Sequence, residues 1–395
     1  MKSSAVLSVV PPMTDAARAA LLCDASLHTL YGAFTAVPDP RSCHGRRYEL
    51  PFLLLCLTTA LLCNCNSLDA VGQWCRDHPD LLARFFGPRR HLTPTGSLFR
   101  RLLPRLSAEH VEWALSAWVQ ATLQAPPDEP LIHDGKVVRG AATATTPAPQ
   151  LLSFSTADTQ ETVLQVRIDV KTNEIPVAQA MLPFLPVAGR VILADALHTQ
   201  RALAATVQRL EGDYVFIVKR NQPGLHDALA EYFAAPTQPD PQDATRDRRR
   251  GRDAYRHLTL TTAMNAYLAD DWAGVAQVGR LVRLVRTATK TRVEIVYVLT
   301  SLTPAKADVQ RLLTLVRSYW RIENSRHYVR DVTFGEDRSR LRTGEAPQIM
   351  AAFRNLALTL LHRAGCTRIA AARRHLAAHP LHAVALLLPS PLVLT

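Results

Sequence analysis

Two short apolar runs that each end in an aspartate, Leu131-Ile-His-Asp134 and Val191-Ile-Leu-Ala-Asp195, decide the fold predicted for this chain. Short runs of aliphatic and β-branched residues predict buried strands. Each aspartate then lies where a strand ends, so the two carboxylates can converge on one edge of a sheet. Oxygen ligands of this kind suit a hard cation such as Mg²⁺. A lone aspartate in such a place is more often a turn former or a helix cap, so the pair carries the prediction.

The segments around these runs alternate between strand-like and helical patterns. Strands are predicted at residues 131–139, 151–156, 163–170, 191–194 and 214–218. Helices are predicted near residues 176–185 and 200–211, between the last three strands. This order predicts an α/β domain whose mixed sheet is flanked by helices.

A second group of strand-like runs follows, at residues 255–262, 280–287 and 292–299. It is preceded by a polar, proline-bearing stretch, residues 237–253, which includes the basic run Arg246-Asp-Arg-Arg-Arg-Gly-Arg252. Helices resume near Ala305. The pattern predicts a β-rich insertion at about residues 237–302, whose basic segments either contact DNA or are solvated loops.

The first 123 residues predict a helical N-terminal domain. Helices are expected at residues 14–31, 50–62, 68–76, 81–86, 97–103 and 108–123, with prolines and basic residues at the breaks. The proline-rich residues 124–130 predict a linker. The expected organisation is therefore a helical domain at 1–123, a linker at 124–130 and an α/β domain at 131–395.

The chain has 395 residues and a formal net charge of +12, and only six of its 46 basic residues are lysines. This excess of arginine favours a polyanionic partner, because each cation on a phosphate releases a condensed counterion. A solvated basic surface is the alternative. The seven cysteines lack paired CxxC spacing, which is typical of reduced core residues. The longest apolar run, residues 50–63, is shorter than a membrane span. We therefore expect a cytoplasmic protein with no membrane contact.

A third acidic candidate lies in Tyr319-Trp-Arg-Ile-Glu-Asn-Ser-Arg-His-Tyr-Val-Arg330, which predicts a helix. At 3.6 residues per turn, Glu323, His327 and Arg330 share one face. Glu323 and the two strand-end aspartates make three carboxylates, which is a sufficient set for two divalent ions about 4 Å apart. A surface helix with an ordinary Glu–His or Glu–Arg pair is the alternative.

Four multi-residue strings carry a family resemblance: His133-Asp-Gly-Lys-Val-Val-Arg-Gly140, Asp195-Ala-Leu-His-Thr-Gln200, Asp213-Tyr-Val-Phe-Ile-Val-Lys-Arg-Asn-Gln222 and Ile322-Glu-Asn-Ser-Arg-His-Tyr-Val-Arg-Asp-Val-Thr-Phe-Gly-Glu-Asp337. In these strings and their order, the chain resembles the ISAs family of insertion-sequence transposases, also known as H-repeat-associated proteins. The resemblance runs from about residue 34 to residue 361. It implies an RNase H-like catalytic domain with a β-rich insertion, and a DDE triad formed by Asp134, Asp195 and Glu323.

The same resemblance implies a DNA transposase that cleaves strands at insertion-sequence ends and transfers them into target DNA. It implies two Mg²⁺ ions held by the three carboxylates, with Mn²⁺ as an alternative ion. The expected partner is double-stranded DNA, as terminal inverted repeats and as target, bound by a homodimer at the bacterial nucleoid. The alternatives are a catalytically silent or domesticated DNA-binding derivative, and an RNase H-like nuclease.

Polar residues close to the triad in sequence are candidates for DNA contacts. They are Lys136, Arg139, His198, Lys219, Asn221, Gln222 and Arg330. Arg330 has the spacing of a basic residue that follows the glutamate in the wider transposase superfamily. Val316 and Tyr319 depart from the superfamily pattern upstream of the glutamate, and neither is assigned a role. For each candidate the alternative is structural: a surface cation, a turn residue or a buried hydrogen-bonded histidine.

Overall fold

The computed structural model describes residues 29–44, 46–86, 93–169, 172–234, 240–249, 251–322 and 326–387. The chain divides into two compact units. The first combines Met1–Ala125, Asp134–Thr172 and Glu323–Thr395, and the second combines Pro126–His133 and Asn173–Ile322. The predicted linear boundary at residues 124–130 stays a prediction, since each unit draws on segments that are distant in sequence.

In the described residues, helices dominate the first and last parts of the sequence, and strands dominate the middle. The helices are α1 Leu30–Thr35, α2 Leu50–Leu62, α3 Leu68–Asp77, α4 Pro79–Phe86, α5 Gly96–Leu102, α6 Ala108–Ala121, α7 Glu174–Met181, α8 Arg201–Arg209, α9 Pro223–Ala234, α10 Asn265–Leu268, α11 Val309–Ile322, α12 Ala346–Arg363, α13 Ile369–Ala378 and α14 Pro380–Ala385. The strands are β1 Leu131–Val137, β2 Gln150–Thr156, β3 Thr162–Ile168, β4 Val191–Ala194, β5 Asp213–Val218, β6 Gln242–Arg249, β7 Arg252–Thr261, β8 Gln277–Arg286 and β9 Thr291–Thr300.

Helix α2 forms the centre of the first unit's core. Every residue of α2 except Pro51 is buried, as expected for a helix that is apolar on all sides. Helices α1, α3, α12 and α14 pack around it. The longest apolar run of the sequence therefore folds into the protein core. Within the described ranges, no helix has both the length and the apolar character that crossing a bilayer requires.

Short polar residues set the starts of the N-terminal helices. The side-chain oxygens of Thr29, Ser67, Thr95 and Ser107 accept backbone hydrogen bonds in the first turns of α1, α3, α5 and α6. Such N-caps satisfy donors that a helix leaves unpaired, and each contributes about 1 kcal/mol. The helices predicted between residues 50 and 123 are present, with ends within two residues of the prediction. The helix predicted at residues 14–31 falls almost entirely outside the described residues.

The second unit is built on a mixed sheet with the strand order β1-β4-β5-β9-β8-β7-β6. Strands β1, β4 and β5 run parallel, with Ile132 paired to Leu193 and Ala194 paired to Phe216. The remaining neighbours are antiparallel. Strand β1 passes from the second unit into the first, where β2 and β3 form an antiparallel pair. An antiparallel hairpin after β1, followed by two strands parallel to β1, is the order of an RNase H-like fold, as predicted.

Strand β6 is absent from the sequence-based prediction. The polar stretch that includes it lacks the alternation of apolar residues on which strand prediction depends. β6 forms the edge of the sheet, and its eight residues all pair with β7. Because residues 242–248 are exposed or half-buried, the strand has no apolar face by which the sequence could identify it. Charged side chains on an edge strand also discourage pairing with other chains.

A buried carboxyl group joins α6, β3 and α12 in the first unit. Glu112 accepts hydrogen bonds from Gln165 Nε2 at 2.7 Å and from Gln348 Nε2 at 2.8 Å, and Asn355 Nδ2 donates to Gln165 Oε1 at 2.7 Å. Burial raises the pKa of Glu112 to about 8. Gln348 Oε1 is buried and has no hydrogen-bond partner in the described part of the chain. Rotation of this amide lets Oε1 accept from protonated Glu112, so the network suits the neutral acid.

We expect the free energy of unfolding to fall as the pH rises from about 4.5 to about 8. In this window the unfolded chain releases the Glu112 proton while the folded protein retains it, so rising pH favours the unfolded state. Glu112→Gln should flatten this dependence in urea unfolding at several pH values. Glu231→Gln, at an exposed carboxylate on α9, is the matched control and should leave the profile unchanged. Identical profiles for the native protein and Glu112→Gln would contradict the shifted pKa.

Candidate active site

Asp134 lies in β1, and its carboxylate contacts a histidine of the first unit. His327 Nε2 is 2.8 Å from Asp134 Oδ2, and the two side chains are 21% and 27% exposed. Oδ2 is itself almost inaccessible to solvent and accepts no hydrogen bond of good geometry from the described residues. A carboxylate oxygen in such a place is chemically suited to a cation.

The segment that carries His327 is not a regular α-helix. Helix α11 ends at Ile322, and Val329–Thr333 form a π-helix. Residues 323–325, which include the predicted ligand Glu323, lie outside the described residues. A π-helix closes its hydrogen bonds over five residues, so the 3.6-residue period does not apply along it. The predicted common face is therefore wrong for the two residues that can be compared: His327 contacts Asp134, whereas Arg330 turns into the core.

Arg330 holds a buried ion pair. It is 1% exposed, and its Nη2 donates to both oxygens of Glu336 at 2.8 and 2.9 Å. Arg354 Nη1 of α12 donates to the same carboxylate at 3.3 Å. Burial opposes ionisation of Glu336, but the two arginines outweigh it and hold the pKa of this carboxyl below its usual value. The prediction of a DNA contact by Arg330 is corrected accordingly: the guanidinium is a structural group with no path to a phosphate.

Lys136 and Arg139 follow Asp134 but differ in their surroundings. The side chain of Lys136 is 8% exposed, and its Nζ is 2.7 Å from Asp331 Oδ1, so its charge is already paired. Arg139 is exposed, in the short turn Arg139–Ala141. Gly140 allows this turn to approach the chain at Ser339, because an added Cβ would lie 2.4 Å from the Ser339 carbonyl oxygen. Of the two predicted DNA contacts, Arg139 alone is accessible.

Asp195 follows β4 and begins a tight loop in the second unit. Its Oδ1 accepts a hydrogen bond from the backbone N–H of His198 at 3.1 Å. Thr199 Oγ1 is 3.1 Å from the Asp195 carbonyl oxygen and 2.6 Å from that of Ile217 on β5. These contacts fix the carboxyl group at the end of its strand. Thr199 was missed by the sequence analysis, because its partner on β5 is revealed only by the fold.

His198 is buried beneath the same loop. Its Nε2 is 3.2 Å from Glu174 Oε2 at the start of α7, and its ring packs edge-on against His133 with centroids 4.1 Å apart. Burial, reinforced by His198, holds the pKa of His133 well below its usual value. The predicted DNA contact by His198 is corrected: at 2% exposure it is the hydrogen-bonded structural histidine of the alternative.

Asn221 and Gln222 support the Asp195 loop from the end of β5. Gln222 Nε2 donates to the Thr199 carbonyl oxygen at 2.8 Å, and Asn221 Nδ2 donates to that of Ala196. These bonds position the loop, and the DNA contacts expected of the two amides stay a prediction. Lys219 remains an exposed cation, with Nζ 3.3 Å from a carboxylate oxygen of Glu294.

The carboxylates of Asp134 and Asp195 are ligands of the type that a hard divalent cation prefers. Asp134 gives the clearest sign, a nearly inaccessible carboxylate oxygen that lies 2.8 Å from His327 Nε2. Within the described ranges, no three His, Cys, Asp or Glu side chains converge with the spacing of a metal site. Asp134 belongs to the first unit and Asp195 to the second, and Glu323 is outside the described residues. The complete ligand set therefore stays a prediction.

Two family models match the chain. Residues 31–119 match the model described as DDE_Tnp_1-associated, and residues 127–360, more than half of the chain, match the Transposase DDE domain. The α/β fold and this match thus define the class of RNase H-like transposases. The protein is a member of the DDE-domain transposase family, as the resemblance to H-repeat-associated transposases predicts.

Individual relatives have low sequence identity to this chain, but the matched stretches are long. The "H repeat-associated putative transposase YhhI" of Escherichia coli K12 is 24% identical over 347 residues, which cover 85% of this chain and 90% of the relative. The "Uncharacterized protein in dhlA 3'region" of Xanthobacter autotrophicus is 29% identical over 212 residues, 53% of this chain and 72% of the relative. Among solved structures, a piggyBac transposase synaptic complex with hairpin DNA matches with a TM-score of 0.44 and 11% identity, over 93% of this chain and 80% of that chain. A likeness this low carries no argument about the site.

Arg330→Ala should destabilise the protein by about 3–5 kcal/mol, because it leaves the Glu336 carboxylate buried with half of its cationic partners removed. The loss should appear as a lower midpoint in urea unfolding. Arg330→Lys should recover only part of it, since a lysine cannot make the bidentate contact. Arg139→Ala, an exposed arginine of the same unit, is the control and should change stability by less than about 0.5 kcal/mol. Equal midpoints for Arg330→Ala and the control would show that the ion pair does not hold the fold.

Proposed function

We propose that this protein is an active transposase that cleaves DNA strands at insertion-sequence ends and joins them to target DNA, with Asp134, Asp195 and Glu323 as its metal ligands. The observation that carries the proposal is the parallel pairing of β1 with β4, in which Ile132 pairs with Leu193. Asp134 and Asp195 each come two residues after this pair. This equal spacing from a parallel pair supports the proposal that Asp134, within β1, and Asp195, just after β4, act together.

The proposed cofactor is a pair of Mg²⁺ ions, with Mn²⁺ as the alternative. When bound, two such ions activate the attacking oxygen and stabilise the leaving oxygen of an in-line displacement at phosphorus. The chain's own residues provide the rigidity. His327 contacts Asp134 Oδ2, and the loop bonds of His198 and Thr199 fix the Asp195 carboxyl. A site whose oxygen ligands are held in advance loses little free energy to reorganisation during the reaction.

The proposed partner is double-stranded DNA, both element ends and target, bound by a homodimer. The formal charge of +12 supports a polyanionic partner. Arg139 follows β1 and Lys219 follows β5, both side chains are exposed, and we assign them to backbone contacts. In the reaction, water first attacks a phosphorus at the element end and breaks one P–O bond. The freed 3′ hydroxyl then attacks the target strand, forming one P–O bond as another breaks.

The two alternatives share the fold and the ligands but not the products. Incubation of the protein with labelled element ends, a target plasmid and Mg²⁺ separates them. Strand-transfer products support the proposal, cleavage without joining identifies an RNase H-like nuclease, and binding without either identifies a silent DNA-binding derivative.

Asp134→Asn, Asp195→Asn and Glu323→Gln should each abolish cleavage while DNA binding changes little, because each removes a charge that holds metal and not a phosphate contact. Gel assays of cleavage and mobility shift measure the two properties separately. Asp80→Asn, at an exposed carboxylate on α4, is the matched control and should cleave at the native rate. Any one of the three variants that cleaves at the native rate in Mg²⁺ would remove its residue from the ligand set.

DNA affinity should weaken steeply with salt, with a log-log slope of roughly −0.9 for each phosphate contact on duplex DNA. Arg139→Ala should make this slope shallower by about one unit. Lys136→Ala should leave the slope unchanged, since Lys136 is already paired with Asp331. Equal slopes for the native protein and Arg139→Ala would exclude Arg139 from the interface.

A further inference from the structure

One face of the β6–β9 sheet mixes exposed apolar groups with cations. In an antiparallel ladder, residues in register share a face, and alternate residues along each strand point the same way. Three neighbouring rows therefore form one face: Arg246, Tyr255, Leu284 and Val293; Ala244, His257, Val282 and Ile295; Arg248, Asp253, Arg286 and Thr291. These twelve residues are called the insertion face below.

The apolar groups of the insertion face are unusually open to solvent. Val293 is 57% exposed, Ile295 is 52% exposed and Tyr255 is 39% exposed. The rings of Tyr255 and His257 lie nearly parallel, with centroids 6.4 Å apart and planes at 12°. A cluster of exposed aliphatic and aromatic side chains on a rigid sheet marks a surface that binds something.

The charge of the insertion face is not neutralised. Its three arginines have one carboxylate among them, Asp253, which contacts Arg246 at 2.5 Å and Arg248 at 3.5 Å. The opposite face of the same sheet is different, because Arg256 pairs with Asp247 at 2.7 Å and Arg283 contacts Glu294 at 3.3 Å. The insertion face therefore has a surplus of two positive charges, and its occupant should be anionic.

We propose that the insertion face binds an unpaired segment of DNA strand. A second copy of the chain would bring like charges together if it docked through the same face. A DNA duplex would satisfy the arginines but offers few apolar surfaces to Tyr255, Val293 and Ile295. An unpaired strand uses both features, since its phosphates pair with cations and its bases stack on aromatic and apolar groups. Four strands about 4.8 Å apart give a surface about 14 Å wide, enough for a short stretch of strand.

This inference rests on the proposed function, because cleavage and joining create strand ends that leave their duplex. It adds a binding site for those ends, formed by residues other than the three proposed metal ligands.

The test is binding of two fluorescent DNA probes to the full chain, a short oligothymidylate and a duplex of equal length, each measured by anisotropy. Tyr255→Ala should weaken binding of the single strand by about 5-fold or more, which corresponds to about 1 kcal/mol for one stacked base. Binding of the duplex should change by less than about 2-fold. A 2-aminopurine placed in the single strand should be quenched on binding to the native protein, and less so with Tyr255→Ala.

Tyr267→Ala is the matched control, because Tyr267 is 70% exposed on α10, outside the insertion face. It should leave both affinities and the quenching unchanged, and circular dichroism checks that all variants fold. Equal single-strand affinity and quenching for Tyr255→Ala and Tyr267→Ala would overturn the inference, as would an equal loss on both probes. Loss of self-association in Tyr255→Ala without loss of DNA binding would identify a protein interface instead.

The two proposals fail separately. If strand-transfer products form but the Tyr255→Ala variant binds single strands normally, the insertion face is not the site and the transposase proposal stands. If the native protein gives no cleavage but Tyr255→Ala loses single-strand binding, the site stands and the catalytic proposal falls.

Discussion

Glu336 is a carboxylate with no exposed surface, and the first unit is arranged around the need to compensate its charge. A buried ion without a partner costs several kcal/mol, so the arginines that face it cannot be released independently. Arg330 reaches it from the π-helix and Arg354 from α12. This single interaction therefore joins the segment that follows the Glu323 region to the longest helix of the unit.

A third buried arginine fixes the end of the same π-helix. Arg373 of α13 donates to the carbonyl oxygens of Thr333 and Leu61, and its guanidinium stacks 3.9 Å from the centroid of the Phe334 ring. Gly335 follows with φ of +61°, a left-handed conformation that glycine adopts most readily. With its beginning and its end both anchored, the segment has one orientation. In that orientation His327 lies against Asp134. The buried ion pairs of the core therefore help to position a residue of the candidate site.

The sequence predicts those parts of the fold that carry a local signal. Apolar runs predict β4 and α2 to within a residue, because burial on a regular element imposes a period on the sequence. Strand β6 carries no such period, since its residues pair along an edge and bury nothing. The common face predicted for His327 and Arg330 failed for another reason: a π-helix is set by tertiary anchors, and no local pattern marks the change in its period.

In the candidate site too, the sequence reveals some of the residues and not others. The two aspartates are visible in sequence because each ends an apolar run, whereas their supports are distant in sequence and nearby only after folding. Asn221 and Gln222, polar residues beside a strand end, have the composition of a DNA contact and the geometry of a scaffold. The type of a polar residue determines which hydrogen bonds it can make, but its partners are known only from the fold.

The formal charge likewise overstates how many basic residues are available to bind DNA. Burial lowers the pKa of Arg326 to about 9 and that of Arg373 to about 10, so both remain charged at neutral pH. With Arg330 and Arg354 they contribute four charges to the formal total of +12, yet none of them can reach a phosphate or release its counterions. Charge that binds DNA must therefore come from exposed cations, and the proposed ones are Arg139, Lys219 and the arginines of the insertion face. Positive charge in this protein has two separate tasks, and the buried share holds together the segment that orients His327 toward Asp134.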